Sequence, residues 1–288
     1  MSTLARITWE GLAMKTSISG FAPAMGLFAF VALLVVGCAT GEQAAQTASA
    51  PPFEGPAIIA EMVEAHGGIE AWRAAPSVSF EDVWGKGDSM GEPSVVTVEQ
   101  GRRRAYIDFP GTDMSMCWDG TQAWSSNWKS PMPPRFMALL SYYFLNLPFL
   151  AMDPGVKLEE TGTATLWDDP QEYITVRMSF EDGVGDTPSD SHLLYIDPDT
   201  KMLHADEYVA TYKAVMPEGK TATDPHIVIY DAYEEVDGLH VPTKFTVYNT
   251  DGSVYTGCEV SSWSFTGTFD DSRMAMADGM VVDTSSPR

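Results

Sequence analysis

The sequence predicts a mostly β protein of the α+β class, built on one antiparallel sheet. Three observations carry that expectation. From residue 77 to residue 265 apolar side chains recur with a period of two, the spacing of half-buried strands. Turn signals punctuate those stretches at short intervals, so successive strands fold back on one another as a meander. Only two stretches, 56–74 and 134–152, depart from the alternation toward helix.

The elements follow in order. Pro56 stands at a favourable first helical position, and Ile58, Ile59, Met62, Val63 and His66 fall on one face while Glu61 and Glu64 face out. Gly67-Gly68 ends this helix, and a short second one over 69–74 carries Trp72 and stops before Pro76. Strands are expected over 77–84, 94–100, 103–109, 114–118 and 121–126, with Trp118-Asp119-Gly120-Thr121 as a hairpin turn. After the second apolar stretch, strands are expected over 156–161, 163–167, 172–180, 192–196, 202–212, 226–234, 239–248 and 254–265. Asp197-Pro198-Asp199-Thr200, Val236-Asp237-Gly238 and Asn249-Thr250-Asp251-Gly252 supply turns between them. The tail after Phe269 is polar and Met-rich and is expected to be loosely ordered.

The stretch 134–152 has no polar face: Phe136, Leu140, Tyr143, Phe144, Leu147 and Leu150 are spread around it. A helix apolar all round must be buried or must cover an apolar surface. With Pro148 inside, it is too short for a membrane span of about 20 residues.

The N-terminus reads as a targeting segment. Lys15 precedes an apolar stretch over 21–36, and Val35-Val36-Gly37-Cys38 resembles the lipobox of bacterial lipoproteins. The resemblance implies that residues 1–37 are a signal peptide, starting at Met1 or Met14, and that Cys38 is lipidated. It further implies sorting to the outer membrane, facing the periplasm, because Ala39 and not Asp follows the cysteine. The alternative is an ordinary signal peptide or helical anchor that leaves Cys38 a free thiol. Residues 38–55, rich in Ala, Gln, Thr, Ser and Pro, read as a flexible tether. Residues 56–268 form one domain, and 269–288 a polar tail. Flexible-chain scaling over roughly sixteen tether residues gives a reach of about 20–25 Å, so such a domain works at the membrane surface rather than as a shuttle.

Composition narrows the function classes. Seventeen basic against 40 acidic residues give a net charge of -23, and the leader contributes only Arg6, Lys15 and Glu10 to that count. Such a surface repels phosphate backbones, so nucleic acid is excluded as a partner. Cys117 and Cys258 are the cysteines besides Cys38. An oxidising periplasm would permit a disulfide between them; the other reading is two small buried hydrophobes.

No catalytic constellation emerges, so an enzyme is not expected. His66, His192, His204, His226 and His240 lack zinc-like spacing, and His66 is expected to cap or pack at its helix end. No metal and no cofactor are expected. The acidic residues of 181–190 lack the order of an EF-hand loop, and no Gly-x-Ser-x-Gly elbow occurs. Arg102-Arg103-Arg104, on a strand, would alternate faces and serve as local charge compensation. The pairs Asp168-Asp169 and Glu234-Glu235 read as solvated carboxylates near turns.

Several stretches in order resemble bacterial extracytoplasmic proteins related to the outer-membrane lipoprotein-sorting proteins LolA and LolB. They are Ala65-His66-Gly67-Gly68-Ile69-Glu70-Ala71-Trp72, Trp118-Asp119-Gly120-Thr121-Gln122-Ala123-Trp124, Leu194-Tyr195-Ile196-Asp197-Pro198-Asp199-Thr200 and Val236-Asp237-Gly238-Leu239-His240-Val241-Pro242. The resemblance implies a curved antiparallel half-barrel, an incomplete barrel with helices covering its concave face, and a cavity there for acyl chains or other lipids. A hydrophobic ligand would then meet Ile59, Val63, Trp118, Phe136, Leu140, Tyr143, Phe144 and Leu147. The other expectation is an envelope lipoprotein with a fully packed core that binds a protein partner through its sheet.

Overall fold

The computed structural model describes residues 53–287; Cys38, the leader and most of the tether lie outside them. Two helices come first, α1 (Ala57–Ala65) and α2 (Ile69–Ala74), at the positions the periodicity gives. Ile58, Ile59, Met62 and Val63 of α1 are buried, as the 3.6-residue spacing requires.

Six strands follow: β1 (Ser77–Lys86), β2 (Ser89–Met90), β3 (Ser94–Glu99), β4 (Ala105–Asp108), β5 (Ser115–Trp118) and β6 (Ala123–Ser126). Three short helices interrupt them: α3 (Pro134–Met137), α4 (Leu140–Leu145) and α5 (Leu147–Leu150). The second run comprises β7 (Val156–Ala164), β8 (Tyr173–Phe180), β9 (Ser191–Ile196), β10 (Leu203–Val209), β11 (His226–Val236), β12 (Leu239–Asn249) and β13 (Val254–Ser264). A two-residue strand, β14 (Val281–Val282), closes the described chain.

All the strands belong to one antiparallel sheet, in the order β14-β6-β5-β4-β3-β1-β13-β12-β11-β10-β9-β8-β7, with β2 paired to β1. The sheet is curved and unclosed: β14 and β7 are its two ends. β1 joins the halves, pairing with β3 on one side and with β13 on the other. The fold expectation is therefore met, with helices on the inner face of an incomplete barrel.

This topology dictates where the helices go. β6 lies next to one end of the sheet and β7 is the other end. The chain between them must cross a face, and an apolar crossing segment takes the apolar one. Residues of α1, α4 and α5 share one core cluster with the inward side chains of the sheet, including Val78, Phe80, Val98, Met116, Val176, Leu194, Val228 and Phe245. Trp72 stacks on Phe149 with ring centroids 4.5 Å apart, locking α2 to α5. The opposite face of the β8–β11 region carries a second, small cluster of Leu166, Tyr173, Tyr195, Ala205 and Ile227.

Several expectations need correction. Residues 134–152 form three helices and not one. The stretches 156–161 and 163–167 are one strand as far as Ala164, with a bulge between Glu160 and Gly162; Trp167 lies beyond it in a left-handed backbone conformation at φ 48°. Arg103 is not in a strand. Its φ of 52° places it in the tight turn between β3 and β4, where its N–H donates to the Glu99 carbonyl. The tail is tied down: β14 pairs with β6, Arg273 pairs with Asp108 at 2.5 Å, and Asp283 accepts from the Arg135 N–H.

The disulfide does not form. Cys117 and Cys258 are both free and buried. They sit on β5 and β13, with β4, β3 and β1 between them. Four strand spacings of about 4.8 Å far exceed the roughly 7 Å Cα reach of a disulfide. Each behaves as a small hydrophobe, and burial raises both thiol pKa values.

Candidate functional site

The helical crossing over the concave face is the candidate site, and its sequence explains its broken form. Pro134 opens α3 at a first-turn position. Leu139 leaves the helical region at φ -123°, separating α3 from α4. Pro148 has no N–H to continue the ladder of α4, so Asn146 ends α4 and begins α5 at φ -118°. No helix of the three has a side-chain cap. Helices this short owe their stability to packing.

Polar contacts hold α4 and its flanks to the sheet. Asp82 of β1 points inward between Phe80 and Trp84, and its side chain is buried. Its carboxylate accepts from the Ser94 hydroxyl of β3, from the Ser141 hydroxyl of α4 and, at 3.1 Å, from Trp84 Nε1. The same indole N–H lies 3.0 Å from Ser141 Oγ, so four side chains form one network. Tyr230 of β11 donates to the Phe144 carbonyl at 2.6 Å. Tyr142 donates to Gln100 Oε1 at 2.8 Å, and Arg103 pairs with Asp153 at 2.5 Å just past α5.

Two polar atoms, one at the end of α1 and one between α4 and α5, lack partners: His66 Nε2 and Asn146 Oδ1 are buried without a hydrogen bond. His66 is the cap residue of α1, as expected, and its Nδ1 lies 2.7 Å from the Met62 carbonyl. Its ring meets Phe149 and Tyr233 edge-on. Burial lowers its pKa to about 4, so the imidazole is neutral at pH 7.

A second polar pair lies on the inner face of the sheet. His192 Nδ1 is 2.9 Å from Asp206 Oδ2, and Asp206 is fully buried. Burial opposes protonation of His192, but the adjacent carboxylate outweighs it and raises the pKa. Both residues break the apolar alternation at inward positions of β9 and β10, and Asp82 does so on β1. That break is the signal by which the period-two reading could have found all three.

The eight side chains expected to meet a ligand do not line one open pocket. Ile59, Val63 and Leu147 are at most 1% exposed, inside the core that also holds Phe144 and Trp118. Phe144 packs on Tyr208 with centroids 4.9 Å apart. Leu140 is half-buried against the core, and Tyr143 turns outward at 39% exposure. Phe136 packs on Tyr212 instead, and the Arg135 guanidinium lies 5.0 Å above the Trp118 ring. Two surface depressions, of about 390 and 330 Å³, are lined by other residues.

The remaining charged groups act locally. Arg102 and Arg104 both pair with Glu99, and Arg104 reaches Asp271. In the acidic loop Asp186 takes a two-pronged hydrogen bond from Arg135, and Asp190 accepts from Thr211. Among the described residues no group of three or more His, Cys, Asp or Glu side chains could hold a metal ion, and no helix is long and apolar enough to cross a membrane.

An open antiparallel sheet with a helical cover on its inner face defines the class of fold. The chain is similar to solved structures of that class. Against the LolA superfamily protein NE2245 from Nitrosomonas europaea the TM-score is 0.48 at 10% identity, covering 76% of this chain and 96% of that one. A DUF1329 family protein from Desulfovibrio piger gives 0.46 at 11% identity, covering 74% and 97%. A domain from Vibrio parahaemolyticus bearing an outer-membrane lipoprotein-sorting description gives 0.43 at 9% identity, covering 72% and 96%. The likeness is one of fold alone. No family profile and no curated protein matches the chain.

Proposed function

We propose that this chain is an envelope lipoprotein, anchored through acylated Cys38 at the periplasmic face of the outer membrane, that binds an acyl chain or another hydrophobic ligand on the concave face of its sheet. The observation that carries the reading is the cover itself. One continuous apolar surface is roofed by a crossing segment broken into three short helices, held by side-chain hydrogen bonds at its edges. Asn146 Oδ1, at the joint between α4 and α5, is buried without a hydrogen bond, so the closed roof leaves one polar group unsatisfied. Helices of four to six residues without side-chain caps draw their stability from packing alone, and in this reading the roof is the element that lifts.

The described chain is then the closed form. An acyl chain replaces the apolar side chains of α4 and α5 on the inner face, and each methylene buried contributes about 0.8 kcal/mol. Ser141 leaves Asp82 as the lid lifts. The protein sequesters; it does not catalyse. The ligand serves lipid or lipoprotein traffic at the membrane to which the tether confines the domain. Native mass spectrometry of the full chain, extracted from its membrane in mild detergent, tests this. An acyl-sized adduct beyond the Cys38 lipid is expected, and its absence from both the wild type and Ser141→Ala contradicts the reading.

A second reading rests on the packing of Ile59, Val63 and Leu147. If the helices are a permanent plug, the sheet serves a protein partner in the envelope. β7 offers an end strand with most residues exposed and one edge unpaired. Under that reading Ser141→Ala only lowers stability and recruits no lipid.

A further inference from the structure

On the face of the sheet away from the lid, the chain after β7 meets the turn between β12 and β13. Trp167 is 42% exposed there, the large apolar side chain of a segment otherwise made of Asp168, Asp169 and Pro170. Its backbone is left-handed at φ 48°, a conformation that a bulky residue adopts only under constraint. Its indole is fixed as well: Nε1 donates to the Thr250 carbonyl at 3.0 Å. The ring stands against Tyr248 edge to face, at 5.3 Å and an interplanar angle of 63°, so the two rings form the walls of a corner.

The corner borders a depression of about 330 Å³ whose lining also includes Leu166, Asp169 and His204. That size is within the range of small-ligand sites. Tyr173 stacks on His204 at 4.4 Å and donates to Asp169 Oδ2 at 3.3 Å, which orients the carboxylate. The other Asp169 oxygen takes the Gln171 N–H at 3.0 Å. Both donors are neutral, so the charge of Asp169 stays uncompensated by them. Asp197 and Asp231 act electrostatically on His204 together with Asp169, yet burial outweighs all three and lowers its pKa, keeping the imidazole neutral. The site is therefore aromatic on two sides and negative, on a chain of net charge -23.

We propose that the Trp167, Tyr248 and Asp169 pocket binds a small organic cation carrying an alkylated ammonium group. Aromatic faces attract such a cation through their quadrupoles, and a neighbouring carboxylate adds charge complementarity. The negative surroundings disfavour a head that also bears phosphate, so the ligand is a free ammonium compound and not a phosphocholine lipid. The site is independent of the lid.

Equilibrium dialysis of radiolabelled choline against the full chain in a non-ionic detergent tests the proposal. The expected result is saturable binding at one site per chain, competed by tetramethylammonium and not by 3,3-dimethyl-1-butanol, the neutral isostere of choline. Asp169→Asn and Trp167→Ala each weaken it by about tenfold or more, a loss of roughly 1.4 kcal/mol. Asp169→Asn keeps the shape of the pocket, so it remains informative if Trp167→Ala fails to fold. Absence of saturable binding, equal competition by the neutral alcohol, or unchanged affinity in Asp169→Asn overturns the proposal. Equal binding of phosphocholine overturns the exclusion of phosphate-bearing heads.

Discussion

The Ser141 hydroxyl on α4 donates to the buried carboxylate of Asp82 on β1, joining the roof of the half-barrel to the strand that unites its two halves. Trp84 and Ser94 complete the acceptor's shell. Removing the acceptor leaves three donors without it, whereas removing one donor leaves two in place. Asp82→Ala is expected to cost about 2 kcal/mol or more and Ser141→Ala about 1 kcal/mol. Urea unfolding midpoints check the order; equal losses would show that the four side chains do not act as one network.

Tyr230 makes the second tie, from β11 to the Phe144 carbonyl, between buried atoms. Tyr230→Phe keeps the ring and deletes the donor, at about 1 kcal/mol. Hydrogen exchange locates the effect: amides of α4 and α5 exchange faster, while those of β12 and β13 do not change. Uniform acceleration across the sheet would mean that the roof does not open on its own.

His66 makes stability depend on pH. Its folded pKa of about 4 lies below the ordinary 6.5, so the unfolded chain binds the proton more readily. The stability due to the neutral buried ring is complete above pH 6.5 and is lost as pH falls from 6.5 toward 4. A shift of this size corresponds to on the order of 3 kcal/mol. His66→Gln is expected to remove that part of the decline, measured as the wild-type minus variant difference in unfolding free energy at pH 7 and pH 4.5. A difference that does not change with pH would contradict the assignment.

Much of the sheet was legible in the sequence because strand alternation and turn chemistry are local. The turns prove this: Asp197 Oδ1 accepts from the N–H groups of Asp199 and Thr200, and Asp237-Gly238 takes positive φ at both residues. What escaped is long-range. β14 forms only because β6 offers it an edge, and the Asp82 network draws on β1, β3 and α4, residues far apart in the chain. Composition marked residues 134–152 as a cover. It did not reveal that Leu139 and Pro148 would break it, nor that Phe136 and Tyr143 would turn away from the core.

Cys117 and Cys258 bear on the redox state. Both are buried, one contacting the Arg273 carbonyl and the other inside the main core. An Ellman titration of Cys38→Ala, in which Cys117 and Cys258 are the only thiols, is expected to show neither reacting while folded and both reacting in denaturant. A folded-state stoichiometry above zero, or a mobility shift on reduction, would contradict the packing described.

In the proposed function the roof lifts to admit an acyl chain. Hydrogen–deuterium exchange of the full chain, with and without saturating lysophospholipid, tests it most directly. Faster exchange across residues 140–150 is expected in the presence of the amphiphile, with β1 and β12 still protected. Exchange in that segment that is unchanged or slower at saturation would contradict it, and would leave the helices as a permanent plug.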